Sequence, residues 1–258
     1  MVSELGFEQL KQMKFELTKL LLLYRCALDE IETKINILKQ EFEALHDYSP
    51  IEHTKSRIKT PESILEKMIR KDVGLSFSAI KDNIKDIAGL RITCSFIPDI
   101  YNVQKMLMKQ NDLEVLEIKD YIESPKPNGY RSLHMLVNVP VFMSDSVEKV
   151  CVEIQIRTIA MDFWASLEHK IFYKYKQAVP ERLLKELKNA AESAHSLDLQ
   201  MGELHQEIDE IKHLNGEDDF DLDIRRLVIN NQQFLLPETL LELLGGNEEE
   251  DKHVNLNE

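Results

Sequence analysis

Three polar side chains of different chemical type alternate with apolar residues between Val152 and Thr158. In the sequence V-E-I-Q-I-R-T, Glu153, Gln155 and Arg157 occupy every second position. Because the side chains of a strand point alternately to its two faces, this spacing puts a carboxylate, an amide and a guanidinium on one face. That combination suits a metal-and-phosphate site, but the same alternation is also typical of an ordinary half-buried strand. Other segments of the chain decide between the two interpretations.

A second group of polar side chains lies where a predicted strand meets a predicted helix. Thr60 followed by Pro61 is typical of a helix start, with threonine as the N-cap and proline at the first helical position. The free N–H groups and the dipole of such a helix end, together with nearby cations, could hold a triphosphate. The pattern also fits a solvated amphipathic helix with a good cap. The candidate phosphate-binding groups are Arg57, Lys59, Ser63 and Lys67.

An acidic residue precedes the next predicted strand. Gly89 fits a helix-to-strand junction, and apolar residues then alternate with polar ones from Leu90 to Phe96. Asp86 therefore lies just before a strand that displays Arg91 on its polar face. Since active-site groups gather at strand ends in open sheets, Asp86 and Arg91 are candidate site residues.

A turn rich in proline, asparagine and glycine separates two further predicted strands. The Asn128-Gly129 pair demands a turn, and strand-like alternation resumes near Arg131. Tyr130 lies at the mouth of this turn, where its ring could stack on a base while neighbouring cations bind phosphates. The alternative is a hairpin with a packed tyrosine and a hydrogen-bonded His134.

Long helices are predicted on either side of these motifs. Apolar residues recur at helical spacing over about 7–45 and again over 180–214. The second stripe exceeds what one small sheet can cover, so subunit packing is expected. A shorter helix is predicted to begin after Thr158 and to run to about Lys176. Its expected buried stripe consists of Trp164, Leu167, Ile171 and Tyr175.

Composition narrows the class of protein. The 258 residues carry a net charge of −14, and no apolar run reaches the length of a membrane span. This charge argues against broad nucleic-acid binding, although 12 acidic and three basic residues are concentrated from Glu217 onward. Three widely spaced cysteines among apolar neighbours predict buried free thiols in a reducing cytoplasm. The His46-Asp47 dipeptide has no further ligands of a metal hydrolase beside it and fits a helix end.

Six colinear segments resemble the (p)ppGpp synthetase domain of the RelA/SpoT family, above all its single-domain members, the small alarmone synthetases. They cover about residues 50–176, and the tail after Gly216 lies outside the resemblance. The matching segments are R-I-K-T-P-E-S-I-L-E-K (57–67), D-I-A-G-L-R (86–91), K-D-Y-I (119–122), K-P-N-G-Y-R-S-L-H (126–134), V-E-I-Q-I-R-T (152–158) and W-A-S-L-E-H-K (164–170).

The resemblance implies an α+β fold in which a mixed sheet of about five strands is flanked by helices, similar to nucleotidyltransferases. It implies transfer of the β,γ-pyrophosphate of ATP to the 3′-hydroxyl of GDP or GTP, with Mg²⁺ as cofactor and AMP as the second product. Asp86 and Glu153 would hold Mg²⁺, and Glu153 would also accept the hydroxyl proton. The residues that would bind ATP are Arg57, Lys59, Ser63, Lys67 and Arg91. Those on the GDP or GTP side would be Lys119, Lys126, Asn128, Tyr130, His134 and Gln155, with Tyr130 stacked on guanine.

The resemblance also predicts how the chain is divided and assembled. The expected segments are a helical segment at 1–48, the synthetase core at 49–178, a helix at 179–216 and an acidic tail at 217–258. About fifty residues precede the core, too few for a separate hydrolase domain, so synthetase activity alone is expected. Small members of the family commonly form homotetramers through their terminal helices, which agrees with the surplus apolar stripe.

Two other functions remain open from the sequence. A nucleotidyltransferase of the same fold would attack the α-phosphate of ATP and release pyrophosphate instead of AMP. A non-catalytic helical interaction protein would keep the sheet only as a relic. The presence of Asp86, Glu153 and four ATP-side groups in one chain argues against this second alternative.

Overall fold

A computed structural model describes residues 4–46, 48–74, 76–172, 179–215, 226–229, 232–237 and 239. Its helices are α1 (Glu4–Leu45), α2 (Pro61–Arg70), α3 (Phe77–Asn83), α4 (Ile97–Met108), α5 (Ile159–Phe172) and α6 (Glu181–Asn215). Its strands are β1 (His53–Ile58), β2 (Ala88–Cys94), β3 (Glu114–Asp120), β4 (Leu133–Phe142), β5 (Val147–Thr158), β6 (Arg226–Ile229) and β7 (Gln232–Leu235).

The main sheet is mixed and has five strands in the order β1-β2-β5-β4-β3. The central pair, β2 and β5, is parallel, while β1 on one side and β4 and β3 on the other pair antiparallel. The α+β prediction with a mixed sheet of about five strands is therefore confirmed. The parallel pair sets Gly89 directly opposite Glu153, and Asp86 lies in the turn just before β2.

The alternating sequence of β5 gives the sheet one apolar and one polar face. Val152, Ile154 and Ile156 are fully buried in a core that also contains Leu28 and Ile31 of α1. At about 25 cal/mol per Å² of apolar surface removed from water, this packing is the main force that holds the long helix against the sheet. The opposite face carries the polar side chains of Glu153, Gln155 and Arg157.

The predicted helix start at Thr60 is confirmed in α2. The Thr60 side chain accepts a hydrogen bond from the backbone N–H of Ser63, and Pro61 begins the helix. The same kind of cap begins α5, where Thr158 Oγ1 accepts from the N–H of Met161 at 3.1 Å. Both caps fix a helix immediately after a strand, which gives the side chains of the first turns defined positions above the sheet.

The buried stripe predicted for α5 is wrong at Leu167 and Ile171. Trp164 is buried, whereas Leu167 is 38% exposed and Ile171 is 60% exposed; Tyr175 lies outside the described residues. Helix α5 packs against α6, β5 and β2, and the side chains of Leu167 and Ile171 stay exposed among the described residues. Apolar helical spacing alone does not reveal whether the partner is the same chain or another copy.

The three cysteines, the hydropathy of the helices and the C-terminal segment compare with the sequence predictions as follows. Cys94 and Cys151 are buried free thiols as expected, and Cys26, also free, is half-buried. Among the described residues, no helix combines the length and the hydropathy required to cross a bilayer. Of the acidic segment 217–258, the structure describes the β6–β7 hairpin and residues 236, 237 and 239; the remainder lies outside the described residues.

Candidate active site

The polar face of the sheet forms a cleft of about 150 Å³ across β1, β2 and β5. Three neighbouring strands supply its walls, so residues up to 100 positions apart in the chain, such as Lys55 and Gln155, meet here. The lining residues are Lys55, Ser56, Arg57, Gly89, Leu90, Arg91, Glu153 and Gln155. The cleft therefore combines cationic groups from the edge strand with the carboxylate and amide of the central strand.

Two lysines predicted to bind ATP both form ion pairs with Asp86. Lys59 Nζ lies 2.7 Å and Lys67 Nζ 2.6 Å from the same oxygen, Asp86 Oδ2. Burial raises the pKa of Asp86, but the hydrogen bonds from these two ammonium groups outweigh burial and lower the pKa below its ordinary value. The carboxylate is thus ionised at neutral pH. Its two ion pairs hold the residue after β1 and the second turn of α2 next to the residues that precede β2.

Glu153 is held by two polar neighbours. Its Oε1 lies 3.3 Å from His134 Nδ1, and its Oε2 accepts a hydrogen bond of 2.9 Å from Gln155 Nε2. Burial raises its pKa, as does the charge of Asp86, but the contacts with His134 and Gln155 lower the pKa overall. Gly89, three residues after Asp86, pairs in register with Glu153, so both acids lie at the same end of the paired strands β2 and β5.

The two carboxylates fit a hard divalent cation. Asp86 Oδ1 is buried and has no hydrogen-bond partner in the structure. An unpaired carboxylate oxygen beside a second carboxylate is the kind of donor set that Mg²⁺ uses. Within the described part of the chain, no three histidine, cysteine or acidic side chains cluster as ligands. A Mg²⁺ ion held by Asp86 and Glu153 would take its remaining ligands from water and phosphate, as this ion usually does.

Two of the remaining residues predicted for ATP line the same cleft, and the third lies in α2. Arg57 and Arg91 line it from β1 and β2, and Arg91 Nη1 forms an ion pair of 2.9 Å with Asp162 Oδ1. Burial, and then the nearby charge of Arg157, lowers the pKa of Arg91. Ser63 lies in the first turn of α2, where its hydroxyl accepts a hydrogen bond of 3.2 Å from Thr60. It shares this helix with Lys67.

An aromatic cluster forms on the β4 side of Glu153. The hydroxyl of Tyr130 lies 2.8 Å from His134 Nε2, so Tyr130, His134 and Glu153 form a continuous chain of contacts. Lys126 Nζ lies 4.6 Å from the ring centroid of Tyr121 and 4.7 Å from that of Tyr130. Cations over ring faces are attracted by the π-electrons. The structure thus brings together four of the six predicted acceptor-side residues, including Gln155.

The other two predicted acceptor-side residues lie at the margin of this cluster. Asn128 accepts a hydrogen bond of 3.2 Å from the backbone N–H of Tyr130 through its side-chain oxygen, so it shapes the turn that presents the tyrosine. Lys119 Nζ forms an ion pair of 3.0 Å with Glu117 on its own strand, and this contact raises the pKa of Lys119. Lys119 pairs in register with His134, which places it one strand away from the centre of the site.

The turn before Tyr130 is fixed by α6. Gly129 has φ +89°, and a Cβ atom at this position would lie 2.5 Å from the Cβ of Ala191. Next to it, Arg131 Nη2 forms an ion pair of 3.0 Å with Glu192. The chain can therefore approach α6 this closely only with glycine at this point of the turn.

Gly129→Ala is expected to lower the free energy of unfolding by about 2 kcal/mol or more. The positive φ costs a residue with a Cβ about 1–2 kcal/mol, and the overlap with Ala191 adds a packing cost. Urea unfolding followed by circular dichroism measures the change. Gly202→Ala is the matched control, because its Cβ would meet nothing within 4 Å on a helix that favours alanine. Unchanged stability of Gly129→Ala would contradict this packing, and Ala191→Gly should restore only part of the loss.

Sequence reasoning missed two residues of the site. The sequence pattern predicts Arg157 only as the third polar residue of its strand, and Asp162 is not among the predicted residues. Arg157 Nη1 lies 3.2 Å from Asp162 Oδ1, the same oxygen that binds Arg91. The available signal is the position of Asp162, an acidic residue in the first turn of the helix that follows β5.

Comparison with known proteins identifies the family. The family model described as the region found in RelA / SpoT proteins matches residues 56–178. The GTP pyrophosphokinase YwaC of Bacillus subtilis is 54% identical over 189 residues, which cover 73% of this chain and 90% of YwaC. This chain belongs to the RelA/SpoT family. The matched region of this RelA/SpoT protein contains every residue predicted for the site, from Arg57 to Gln155.

Solved structures of the family share its fold. The small alarmone synthetase 1 of Bacillus subtilis bound to its product pppGpp has a TM-score of 0.69 and 41% identity, and the match covers 74% of this chain and 97% of that one. The same enzyme bound to AMPCPP has a TM-score of 0.65 and 38% identity, with coverages of 78% and 99%. The RelA/SpoT protein described here is thus similar to small alarmone synthetases over nearly their full length.

Proposed function

We propose that this chain is a GTP pyrophosphokinase. It transfers the β,γ-pyrophosphate of ATP to the 3′-hydroxyl of GDP or GTP and yields ppGpp or pppGpp and AMP, the alarmones of the stringent response. The observation that carries the proposal is the placement of Asp86 in the turn just before β2 and of Glu153 on the parallel neighbour β5, between a cationic wall (Arg57, Lys59, Lys67 and Arg91) and the aromatic cluster. The 54% identity to a GTP pyrophosphokinase over 90% of its length supports it.

The cationic wall binds the donor in this proposal. Lys59 and Lys67 meet at Asp86, so their charges are already in place for the phosphates of ATP. The N-terminus of α2 adds free N–H groups and a favourable dipole near Ser63. The proposed ATP-binding residues are Arg57, Lys59, Ser63, Lys67 and Arg91.

The aromatic cluster binds the acceptor. Tyr130 stacks on guanine, and Lys126, now near the rings of Tyr121 and Tyr130, pairs with acceptor phosphate. His134 and Gln155 both contact Glu153 and so align the acceptor with the catalytic carboxylate. The proposed acceptor-side residues are Lys119, Lys126, Asn128, Tyr130, His134 and Gln155.

The chemistry requires one proton acceptor and neutralisation of phosphate charge. The 3′-oxygen bonds to the β-phosphorus, the bond from that phosphorus to the α-phosphate oxygen breaks, and AMP leaves. Glu153 takes the proton of the hydroxyl, since its lowered pKa keeps it ionised at neutral pH. Mg²⁺, when bound by Asp86 and Glu153, would neutralise the negative charge of the phosphates. The other residues position the two nucleotides for in-line attack.

Product analysis tests this function. Purified protein is incubated with Mg²⁺, ATP and either GDP or GTP, and the nucleotides are separated by anion-exchange chromatography. The proposal predicts AMP and a guanine nucleotide with two additional phosphates. Release of pyrophosphate with transfer of adenylate would instead identify a nucleotidyltransferase that attacks the α-phosphate. Intact ATP, and no binding of a non-hydrolysable ATP analogue, would favour a non-catalytic interaction protein.

Tyr130→Ala is expected to raise the KM for guanine nucleotides about 10- to 100-fold, because stacking on an aromatic ring contributes about 1–3 kcal/mol per base. The KM for ATP should change little. Steady-state kinetics with each substrate varied in turn measures both constants. Tyr130→Phe, which keeps the ring, should lose less than Tyr130→Ala. Equal losses for ATP and the guanine nucleotide would argue against stacking on the acceptor.

Assembly as a homotetramer is part of the proposal. Both terminal helices leave large apolar side chains exposed, a feature typical of subunit interfaces. Those on α6 include Leu197, Met201, Leu204, Ile208 and Ile211. Light scattering after gel filtration should give the mass of four chains of 30.1 kDa, and a mass of one chain would contradict the proposal.

The division of the chain and its compartment are also proposals. The structure supports the boundaries 1–48, 49–178 and 179–216, since α1 ends at Leu45 and α6 runs from Glu181 to Asn215. An acidic tail at 217–258 completes the division. A cytoplasmic location is supported by three free thiols, which are typical of a reducing compartment.

A further inference from the structure

Arg157 is a buried cation that the proposed reaction does not use. It is 4% exposed and lies at the end of β5 on the same face as Glu153 and Gln155. Burying a guanidinium is costly unless its donors are matched by acceptors and its charge is compensated. The contacts that offset this cost show what the side chain does.

The guanidinium of Arg157 binds two residues of the acceptor side directly. Its Nη2 donates to the hydroxyl of Tyr130 at 2.6 Å and to Oε1 of Gln155 at 2.7 Å. Its Nε donates to Ser132 Oγ at 3.3 Å, and its Cζ lies 5.1 Å from the ring centroid of Tyr130. One planar cation therefore fixes both the rotation of the tyrosine and the orientation of the amide that contacts Glu153.

Asp162 connects this arrangement to the donor side. A single oxygen, Oδ1, lies 3.2 Å from Arg157 Nη1 and 2.9 Å from Arg91 Nη1. Arg91 lines the cleft assigned to ATP, and Arg157 holds the residues assigned to the guanine nucleotide. The carboxylate in the first turn of α5 is therefore the point where the two halves of the site are joined.

We propose that Arg157 is a positioning residue that holds Tyr130 and Gln155 in the geometry required for the acceptor nucleotide, with Asp162 linking it to Arg91. The proposal rests on the function proposed above, in that it assumes that Tyr130 binds guanine. Arg157 acts through the tyrosine hydroxyl and the amide. Lysine cannot replace it, because one ammonium cannot reproduce a planar fork of five N–H donors.

A double-mutant cycle tests the coupling. The variants are Arg157→Lys, Tyr130→Phe, which removes only the hydroxyl, and the two combined. Each single variant is expected to raise the KM for the guanine nucleotide about 10-fold, since each removes a charge-assisted hydrogen bond. Because both break the same contact, the double variant should fall well short of the product of the two effects. If the two effects multiply fully, the proposal is wrong. That result is the one expected if Arg157 bound phosphate directly and did not act through Tyr130.

Arg131→Lys provides the matched control. Arg131 is also a largely buried arginine and adjoins Tyr130, but its side chain pairs with Glu192 and donates to the carbonyl of Ile122. Its effect should multiply with that of Tyr130→Phe, because it does not share the hydroxyl. If Arg131→Lys is coupled to Tyr130→Phe as strongly as Arg157→Lys is, the coupling reflects general disruption of the site, and the proposal is overturned.

The variant Asp162→Asn and the wild-type reaction provide two further tests. If Arg157→Lys fails to fold, Asp162→Asn replaces it; this variant releases both arginines and should raise the KM for ATP and for the guanine nucleotide together. An effect of Asp162→Asn on unfolding temperature alone, with both KM values unchanged, would contradict the proposal. The wild-type reaction separates the two hypotheses: absence of AMP and product refutes the proposed function, whereas an active wild type with independent variants refutes only the role of Arg157.

Discussion

Glu153→Gln is expected to lower kcat about 10³-fold or more and to leave the affinity for both nucleotides close to that of the wild type. The amide has the size of the carboxylate and can still contact His134 and Gln155, so the cleft should keep its shape. It cannot accept the proton of the 3′-hydroxyl, and a positioned base contributes about 10²–10⁴-fold to such reactions. Loss of one metal-binding charge adds to the effect on the chemical step.

Single-turnover kinetics and isothermal titration separate these two quantities for Glu153→Gln. The first measures the transfer step with both nucleotides bound, and the second measures binding of a non-hydrolysable ATP analogue. Glu148→Gln is the matched control on the same strand, because Glu148 lies outside the cleft and forms a long ion pair of 3.5 Å with Lys81. It should react at the wild-type rate. Wild-type turnover in Glu153→Gln would refute the assigned role of the carboxylate.

Asp86→Asn is expected to remove the dependence of ATP binding on Mg²⁺ and to reduce kcat/KM about 10³-fold. Asp86 supplies a carboxylate oxygen without a hydrogen-bond partner, which is the group assigned to the metal. Its other oxygen neutralises Lys59 and Lys67. Asparagine removes this negative charge, so both lysines are free to attract the phosphates. Affinity for ATP without metal should therefore be retained or increased, while the gain normally produced by Mg²⁺ disappears.

Titrations with ATP in the presence of Mg²⁺ and in the presence of a chelator measure the effect of Asp86→Asn. Asp82→Asn, an exposed acidic residue four positions earlier, is the control and should bind like the wild type. The opposite result, a Mg²⁺-dependent gain in affinity equal to that of the wild type, would show that Asp86 is not a metal ligand. Loss of ATP binding with and without metal would show that its role is to hold the two lysines in place.

Local sequence patterns predicted the elements that build this site. The period of two in 152–158 indicated the strand that carries Glu153, and the Thr60-Pro61 pair indicated the start of α2. Both signals arise from short-range geometry, because side-chain alternation and helix capping involve residues at most a few positions apart. The fold class was likewise predicted, through six motifs whose order resembles a known family.

Contacts between distant segments could not be predicted in this way. The meeting of Lys59 and Lys67 at one oxygen of Asp86 depends on how β1, α2 and β2 pack, and nothing in the local sequence encodes that distance. The same holds for Asp162, which became part of the site only when α5 placed it between two arginines from different strands. Apolar spacing also failed to distinguish a face buried within the chain from one left exposed, as Ile171 shows.

We propose that one cation joins Asp86 and Glu153, and a crystal structure with Mn²⁺ and a non-hydrolysable ATP analogue would locate this cation. Mn²⁺ replaces Mg²⁺ with similar oxygen ligands and can be located by its anomalous scattering. The predicted result is one anomalous peak at about 2 Å from an oxygen of each carboxylate, with Lys59 and Lys67 moved from Asp86 to the phosphates. An ion bound to only one of the two acids, or phosphates bound away from both lysines, would contradict the account.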